Sequence, residues 1–174
     1  GIGVESTIVD VTEEIPTLLR PGAITMEMLG SVVGKVDVDP AITGPMRADV
    51  KPKAPGMKYR HYAPKAPVTV VSGAPERSAD YIRTHLSSGE GVICFEEFTP
   101  LFTGVSVQSL GLSTDKDEQA RRVFDALRAF DGTQVAAIWA QCPDTAGLGL
   151  AVANRLKKAA GFHVIDAGGE EARP

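Results

Sequence analysis

Residues 66–95 read APVTVVSGAPERSADYIRTHLSSGEGVICF, and this stretch decides the predicted fold. Val68–Ser72 and Gly91–Phe95 are apolar runs of the length typical of buried strands. Between them, Pro75–Ser87 places its large apolar residues on one stripe, which predicts a helix with one face on a core. Strands that are apolar on both faces need helices on both sides, so this order predicts a parallel sheet.

The same alternation continues toward the end of the chain. Further strands are predicted over residues 105–110, 134–140 and 162–165, and further helices over residues 115–130 and 148–160. The predicted fold class is therefore α/β. We expect residues 66–174 to form a Rossmann-like three-layer domain with a mostly parallel sheet.

Residues 1–44 contain two predicted strands and one short helix, at residues 6–11, 16–20 and 26–33. Thr25 and Gly34 are suited to cap the two ends of that helix. About 45 residues without disulfides or a metal are too few for an independent core. We therefore expect this segment to be the tail of a larger α/β domain whose beginning precedes Gly1.

Residues 45–65 differ from both flanking segments in charge and in proline content. They contain six Lys or Arg residues against Asp49 alone, and four of the chain's twelve prolines. This composition favours extended backbone without helical or strand periodicity. We expect an ordered basic linker with apolar and aromatic surface that docks on a folded neighbour, offered by Met57, Tyr59, His61 and Tyr62.

Composition excludes several classes of protein. The chain has 18 Lys and Arg against 22 Asp and Glu, and its net charge of −4 argues against a nucleic-acid-binding chain. No apolar run approaches the roughly 20 residues that span a bilayer, and the first residues lack the pattern of a signal peptide. Cys94 and Cys142 have no partners at metal-ligand spacing, so we expect buried, unreactive thiols in a cytoplasmic protein.

No stand-alone catalytic signature is present, but three short segments are candidates for ligand contact. Ser6 and Thr7 begin a predicted strand. Their hydroxyls either hold a small polar ligand or belong to ordinary polar residues of a strand that bind no ligand. Arg20 ends the next strand and is either a surface residue or a bidentate ligand for phosphate or carboxylate. The amides of 147–149 either receive an anion or form a glycine turn that permits close packing.

The segment Lys58–Pro64 combines cations and aromatic rings. Such a segment either covers an anionic ligand and stacks on a base, or contacts nucleic acid, or is only a charged linker. The isolated His85 and His163 have no Asp or Cys at ligand spacing, which favours structural roles. Trp139 lies in an apolar strand and is predicted to be a core residue.

Four segments together resemble a known family. They are Gly3–Asp10, Leu18–Thr25, Ala54–Pro64 and Gly147–Ala160. In this order they resemble the Sua5 form of threonylcarbamoyl-AMP synthase, and the linker segment is the most specific of the four. The resemblance covers nearly the whole chain.

The resemblance implies an enzyme that joins L-threonine, bicarbonate and ATP into threonylcarbamoyl-AMP and pyrophosphate, as the first step of tRNA t6A synthesis. In such enzymes a YrdC-like catalytic domain is followed by a linker that folds over the site and by a Sua5 accessory domain. Residues 1–44 would then be the tail of the YrdC-like domain, residues 45–65 the lid and residues 66–174 the accessory domain. The family's upstream Lys-x-Arg and Ser-x-Asn elements, which hold ATP, are expected before Gly1, so we expect this chain alone to be inactive.

The resemblance also implies roles for individual residues. Ser6 would bind threonine, and Arg20 would contact the nucleotide. Tyr59 would contact ATP, with Tyr62 as the second choice, and Arg60, His61 and Tyr62 would belong to the lid. No catalytic residue and no metal ligand is assigned; Mg²⁺ is implied only as the companion of ATP.

The resemblance implies these partners: ATP, L-threonine, bicarbonate, the upstream YrdC-like domain and the t6A transferase proteins. It implies neither a membrane partner nor direct binding of tRNA. Two alternatives remain at this point. One is a nucleotide-binding regulatory module without synthase chemistry. The other is an RNA-contacting module that uses the basic linker.

Overall fold

The structure, a computed structural model, describes residues 3–55, 57 and 63–168 of the 174-residue chain. Within this part, the strands form two separate sheets, one of three strands and one of five. The smaller sheet lies before the linker and the larger one after it. In the part of the chain that the structure describes, no helix is both long and apolar enough to cross a membrane.

The N-terminal sheet pairs its first two strands antiparallel and its second and third parallel. Its strands are β1 (Ile8–Asp10), β2 (Thr17–Arg20) and β3 (Asp37–Val38), and its helices are α1 (Met26–Val33) and α2 (Pro40–Thr43). The prediction of α1 is confirmed with both caps: the Thr25 hydroxyl accepts from the Met28 amide at 3.3 Å, and Gly34 has φ +79°. β3 and α2 were not predicted, since two and four residues are too few to show a period.

The C-terminal sheet is parallel throughout, in the order β6-β5-β7-β4-β8. Its strands are β4 (Val68–Ser72), β5 (Gly91–Cys94), β6 (Ser106–Ser109), β7 (Ile138–Gln141) and β8 (Val164–Asp166). The helices are α3 (Pro75–His85), α4 (Lys116–Arg128) and α5 (Gly149–Ala159), with 3-10 helices at Glu96–Leu101 and Ala129–Gly132. The predicted mostly parallel α/β sheet is confirmed.

Two hydrophobic clusters separated by this sheet account for its three layers. Val70 of β4 packs in one cluster with Val123 of α4 and Leu156 of α5. The next residue, Val71, packs in the other cluster with Ile82 of α3. Successive strand residues point to opposite faces, so both faces of β4 are buried, as its continuous apolar sequence predicted.

Three predicted strand starts are two or more residues early. The strand predicted from Ser6 begins at Ile8. The strand predicted from Gln134 begins at Ile138, and Gln134 itself is exposed. The strand predicted from Phe162 begins at Val164, because Phe162 has φ +60°, a left-handed conformation that a strand excludes. In each case the residues before the strand lie in a turn, a bend or irregular backbone.

The described part of the linker contains no helix or strand. Ala54 and Met57 nevertheless lie in a small core with Leu19 of β2 and Ala41 of α2. At its other end, the Lys65 amide donates to the Asp131 carboxylate at 3.3 Å. The linker is therefore held by the N-terminal sheet on one side and by the C-terminal domain on the other.

His85 and His163 make structural contacts, as predicted, whereas Trp139 is less buried than the core position predicted for it. His85 stacks on Tyr81 with ring centroids 3.9 Å apart, and Nδ1 of His163 lies 3.2 Å from the Thr69 hydroxyl. Trp139 is half-buried at the edge of the second cluster, where its indole nitrogen donates to Glu90 at 2.8 Å. Cys94 and Cys142 are buried, as expected.

Candidate functional site

Ser6 and Arg20 lie side by side where β1 and β2 meet. Nε of Arg20 donates to the Ser6 carbonyl oxygen at 2.9 Å. The Ser6 side chain is exposed. The neighbouring Thr7 hydroxyl instead donates to the Ile24 carbonyl at 2.8 Å and accepts from the Ile24 amide at 3.0 Å. Of the two hydroxyls singled out in the sequence, only that of Ser6 faces outward for a ligand.

Gly22 holds the Ser6 backbone in place. A Cβ at Gly22 would lie 2.2 Å from the Glu5 carbonyl oxygen and 2.5 Å from the Thr7 amide nitrogen. Only glycine permits so close an approach of the turn after β2 to the chain before β1. The strand-end arginine and the serine are therefore fixed relative to each other by backbone packing as well as by a hydrogen bond.

Glu5 is the carboxylate beside this pair, and arginines approach it from two sides. Its Oε2 lies 2.7 Å from Nη2 of Arg155, and its Oε1 lies 3.9 Å from Nη1 of Arg20. Lys158 is also buried close by; burial lowers its pKa, while the negative charge of Glu5 opposes that shift. Three cations thus surround one carboxylate, which leaves this region electropositive and suited to anions.

Helix α5 supplies two of these cations and further contacts to the N-terminal part. Asn154 donates from its side chain to the Ile42 carbonyl at 2.9 Å. One turn before the helix, the Gly147 amide donates to the Glu27 carboxylate at 3.1 Å. The amide of Glu27 itself, the Thr25 hydroxyl and the Gly147 amide hold the pKa of Glu27 below its usual value.

Both alternatives for residues 147–149 therefore describe part of what is found. The anion that the Gly147 amide receives is a carboxylate of this chain, Glu27. Gly149 permits close packing, because a Cβ there would lie 2.0 Å from the Asp144 carbonyl oxygen. The segment joins the two parts of the chain.

Four residues at this contact were not predicted from the sequence: Glu5, Asn154, Arg155 and Lys158. A signal for the last three was present in LAVANRLKKA, residues 150–159, where polar residues interrupt an apolar helix. Buried polar side chains generally have partners, so Asn154 and Arg155 within that run indicate contacts across an interface.

The lid residues predicted from the linker, Tyr59, Arg60, His61 and Tyr62, lie outside the described residues. Their neighbours on both sides are described: Met57 is buried against β2 and α2, and Pro64 is buried. Their assignment stays a prediction.

Two cations of the linker form ion pairs within the described structure. Arg47 pairs with Asp49 at 3.2 Å, and Lys53 with Asp10 of β1 at 3.7 Å. Lys51 is exposed. The basic character of the linker is thus partly neutralised by carboxylates of the chain itself.

Among residues 3–55, 57 and 63–168, no group of three or more His, Cys, Asp or Glu residues is placed to hold a metal ion. We therefore assign none of these described residues to the Mg²⁺ that the resemblance implies.

Comparison with known proteins gives consistent matches. A family model described as threonylcarbamoyl-AMP synthase, C-terminal domain, matches residues 24–161. The threonylcarbamoyl-AMP synthase of Bacillus subtilis is 44% identical over 168 residues, which are 95% of this chain and 47% of that protein. The chain thus spans about half the length of the curated relatives it matches.

Two solved structures from Pyrococcus abyssi are also similar. The crystal structure of its Sua5 complexed with L-threonine is 41% identical and has a TM-score of 0.79, covering 95% of this chain and 48% of that one. A variant of the same protein, with a histidine and the following tyrosine replaced by alanine, is 40% identical and also has a TM-score of 0.79, covering 95% of this chain and 47% of that one.

Proposed function

Because the chain belongs to the threonylcarbamoyl-AMP synthase family, whose C-terminal domain it matches, we propose that it is the C-terminal part of an L-threonylcarbamoyladenylate synthase. The proposed reaction joins L-threonine, bicarbonate and ATP into threonylcarbamoyl-AMP and releases pyrophosphate and water. Its product would serve the t6A modification of tRNA in the cytoplasm, through t6A transferase proteins.

One observation carries this proposal. The protein of P. abyssi whose structure is described as complexed with L-threonine matches 95% of this chain at 41% identity, a span that includes the N-terminal sheet as well as the accessory domain. The TM-score of 0.79 means that the arrangement of the matched elements is shared as well as their sequence. Threonine is therefore the first ligand to test.

Ser6 and Arg20 are the residues of the described chain that we assign to substrates. The exposed Ser6 hydroxyl offers one donor and two acceptor positions, which suit the carboxylate or the hydroxyl of threonine. Arg20 is oriented through its Nε by the Ser6 carbonyl. Its remaining guanidinium donors suit the phosphate of a nucleotide, which guanidinium binds with charge-assisted hydrogen bonds.

The linker is proposed to close over the bound nucleotide, with Tyr59 on ATP and Arg60, His61 and Tyr62 beside it. In the P. abyssi protein, a histidine and the tyrosine that follows it were both replaced by alanine. The sequence of this chain contains one His-Tyr pair, His61-Tyr62, which is therefore the pair to test. Closure over a charged ligand excludes water and strengthens each polar contact. Mg²⁺ bound to ATP would neutralise phosphate charge.

The proposal is tested with the longer protein that includes the upstream half, beside the 174-residue chain. We expect the longer protein to release pyrophosphate and form threonylcarbamoyl-AMP, detected by mass spectrometry, only when threonine, bicarbonate and ATP are all present. The 174-residue chain should form none, because it lacks the proposed ATP-holding elements. Synthesis by the 174-residue chain alone would contradict the assignment of ATP binding to the upstream half. A longer protein that forms no threonylcarbamoyl-AMP would contradict the proposed function.

Within the longer protein, Ser6→Ala should raise the KM for threonine by about tenfold, as expected for one lost hydrogen bond to a charged group. Ser88→Ala is the matched control, because Ser88 is exposed in a turn of the C-terminal domain. An unchanged KM in Ser6→Ala would remove Ser6 from the site.

A further inference from the structure

The contact between Glu5 and Arg155 joins residues that are 150 positions apart in the sequence. Arg155 belongs to α5 of the C-terminal domain, whereas Glu5 immediately precedes the proposed threonine-binding residue Ser6. Nη2 of Arg155 and Oε2 of Glu5 are 2.7 Å apart, which makes them a close ion pair. The accessory domain therefore reaches the residue next to the site.

Arg155 is held more rigidly than a surface arginine. Its side chain is 5% exposed, and its guanidinium lies over the Phe124 ring at 3.9 Å from the centroid. The preceding residue, Asn154, is fixed to the Ile42 carbonyl at 2.9 Å. A guanidinium that is buried, stacked and flanked by a second interdomain contact sets the position of the carboxylate that it binds.

The position of Glu5 in turn affects both proposed ligand contacts. Its carboxylate also faces Arg20, at 3.9 Å, and Arg20 donates to the Ser6 carbonyl at 2.9 Å. While Arg155 binds Glu5 at the shorter distance, Arg20 is left to the Ser6 carbonyl and to a ligand. Without Arg155, the attraction between Glu5 and Arg20 would draw the guanidinium of Arg20 toward Glu5 and away from an anion.

We propose that Arg155 is a positioning residue of the synthase: it holds Glu5 so that Ser6 and Arg20 are arranged for threonine and nucleotide. This inference rests on the proposed function, and it gives the accessory domain a direct part in substrate binding. Arg155 touches no substrate in this proposal. Its effect on binding passes through Glu5.

The test uses steady-state kinetics of the longer protein and three variants. Arg155→Gln should raise the KM for threonine and for ATP by about tenfold while kcat changes by no more than about threefold, because the lost interaction acts on binding. Glu5→Gln removes the same ion pair and should raise the KM for threonine, because the side chain next to Ser6 is no longer held by Arg155. The KM for ATP should change less in this variant, since no carboxylate remains to draw Arg20 away from the nucleotide. Arg155→Lys, which keeps the charge, should recover part of the loss.

A double-variant comparison and a control complete the design. If the two residues act as one unit, Glu5→Gln combined with Arg155→Gln should be no worse than Arg155→Gln alone. Arg122→Gln is the control, since Arg122 pairs within α4 with Glu118 and its side chain is 43% exposed. Its KM values should equal those of the unaltered protein.

Two failures are distinguishable. If the unaltered longer protein forms no threonylcarbamoyl-AMP, the proposed function fails. If that protein is active and folded Arg155→Gln keeps the original KM values, or folded Glu5→Gln keeps the original KM for threonine, the positioning role is overturned. It is also overturned if the two losses in the KM for threonine simply add in the double variant. Should Arg155→Gln not fold, as circular dichroism would show, Glu5→Gln and Arg155→Lys decide the question.

Discussion

At the scale of single residues, the two cysteines show how burial changes chemistry. Cys94 is 0% and Cys142 is 3% exposed. Burial raises the pKa of the Cys94 thiol to about 12, with a smaller contribution from the negative charge of Glu97. Burial also raises the pKa of Cys142, to about 11, against the opposing charges of Lys157 and Lys116. Both thiols are therefore neutral and weakly nucleophilic over the ordinary pH range.

This leads to a prediction about pH. At pH 8, iodoacetamide should modify neither thiol in the folded chain and both in urea. Thiols of the unfolded chain lose their protons at about pH 9, whereas those of the folded chain keep them to about pH 11 or above. Because only the unfolded chain is deprotonated between these pH values, the free energy of unfolding should fall as the pH rises through them. Urea unfolding at pH 8 and at pH 10 measures the fall.

The control for this prediction is a variant with Cys94→Ala and Cys142→Ala. It contains the same other titratable groups, so its stability should fall less between the two pH values than that of the unaltered chain. An equal fall in both proteins, or rapid alkylation of the folded chain, would contradict the thiol assignment.

At the scale of elements, α5 is the helix that joins the two parts of the chain. Its residues Asn154 and Arg155 contact the N-terminal part, and the Gly147 amide before it binds Glu27. The start of α5 depends on Gly149, whose α-carbon lies against the Asp144 carbonyl with no room for a side chain. A change at this glycine should therefore affect both the fold of the C-terminal domain and its contacts.

We expect Gly149→Ala to destabilise the chain by roughly 1 to 3 kcal/mol, because a Cβ placed 2.0 Å from a backbone oxygen forces the loop to shift. The matched control is Gly30→Ala. Gly30 lies inside α1, where an added Cβ meets nothing within 4 Å, so alanine there should stabilise by up to about 1 kcal/mol. Thermal unfolding followed by circular dichroism compares the two, and an equal or higher melting temperature for Gly149→Ala would contradict the packing argument.

At the scale of the whole molecule, two sheets of unequal size are held together by contacts on both sides of the linker. The larger sheet has helices on both faces and two hydrophobic clusters. The smaller sheet has one small cluster, to which the linker itself contributes Ala54 and Met57. Helix α1 contains no buried residue, and Met28 and Val32 are exposed on it.

Limited proteolysis tests the division at residues 45–65. We expect trypsin to cut the 174-residue chain first after Arg47 or Lys53, which are exposed, and to leave a resistant fragment that contains residues 66–168. The bond after Lys51 is an internal control, since Pro52 protects it from trypsin. Mass spectrometry of the fragments identifies the cuts. A first cut inside 66–168, for example after the exposed Arg128, would contradict an independently stable C-terminal domain.

Much of the C-terminal domain could be predicted because short stretches of its sequence indicate secondary structure and burial by themselves. Val68–Ser72 is apolar at the length of a buried strand, and its bounds are confirmed. The apolar period of α4 and the capping residues of α1 likewise predicted these two helices. Elements that exist only through pairing were not: β3 has two residues, both exposed, and is a strand because it pairs with β2.

The sequence by itself determined the α/β class, the parallel sheet and the membership of the family, because apolar periods and contiguous motifs are properties of neighbouring residues. The tertiary structure alone decided that the Thr7 hydroxyl is used internally, that the Gly147 amide binds Glu27, and that Glu5 meets Arg155. These contacts join residues 17, 120 and 150 positions apart. No local pattern encodes such a pair, since the free energy that selects it comes from docking two folded surfaces whose shapes exist only after each part has packed.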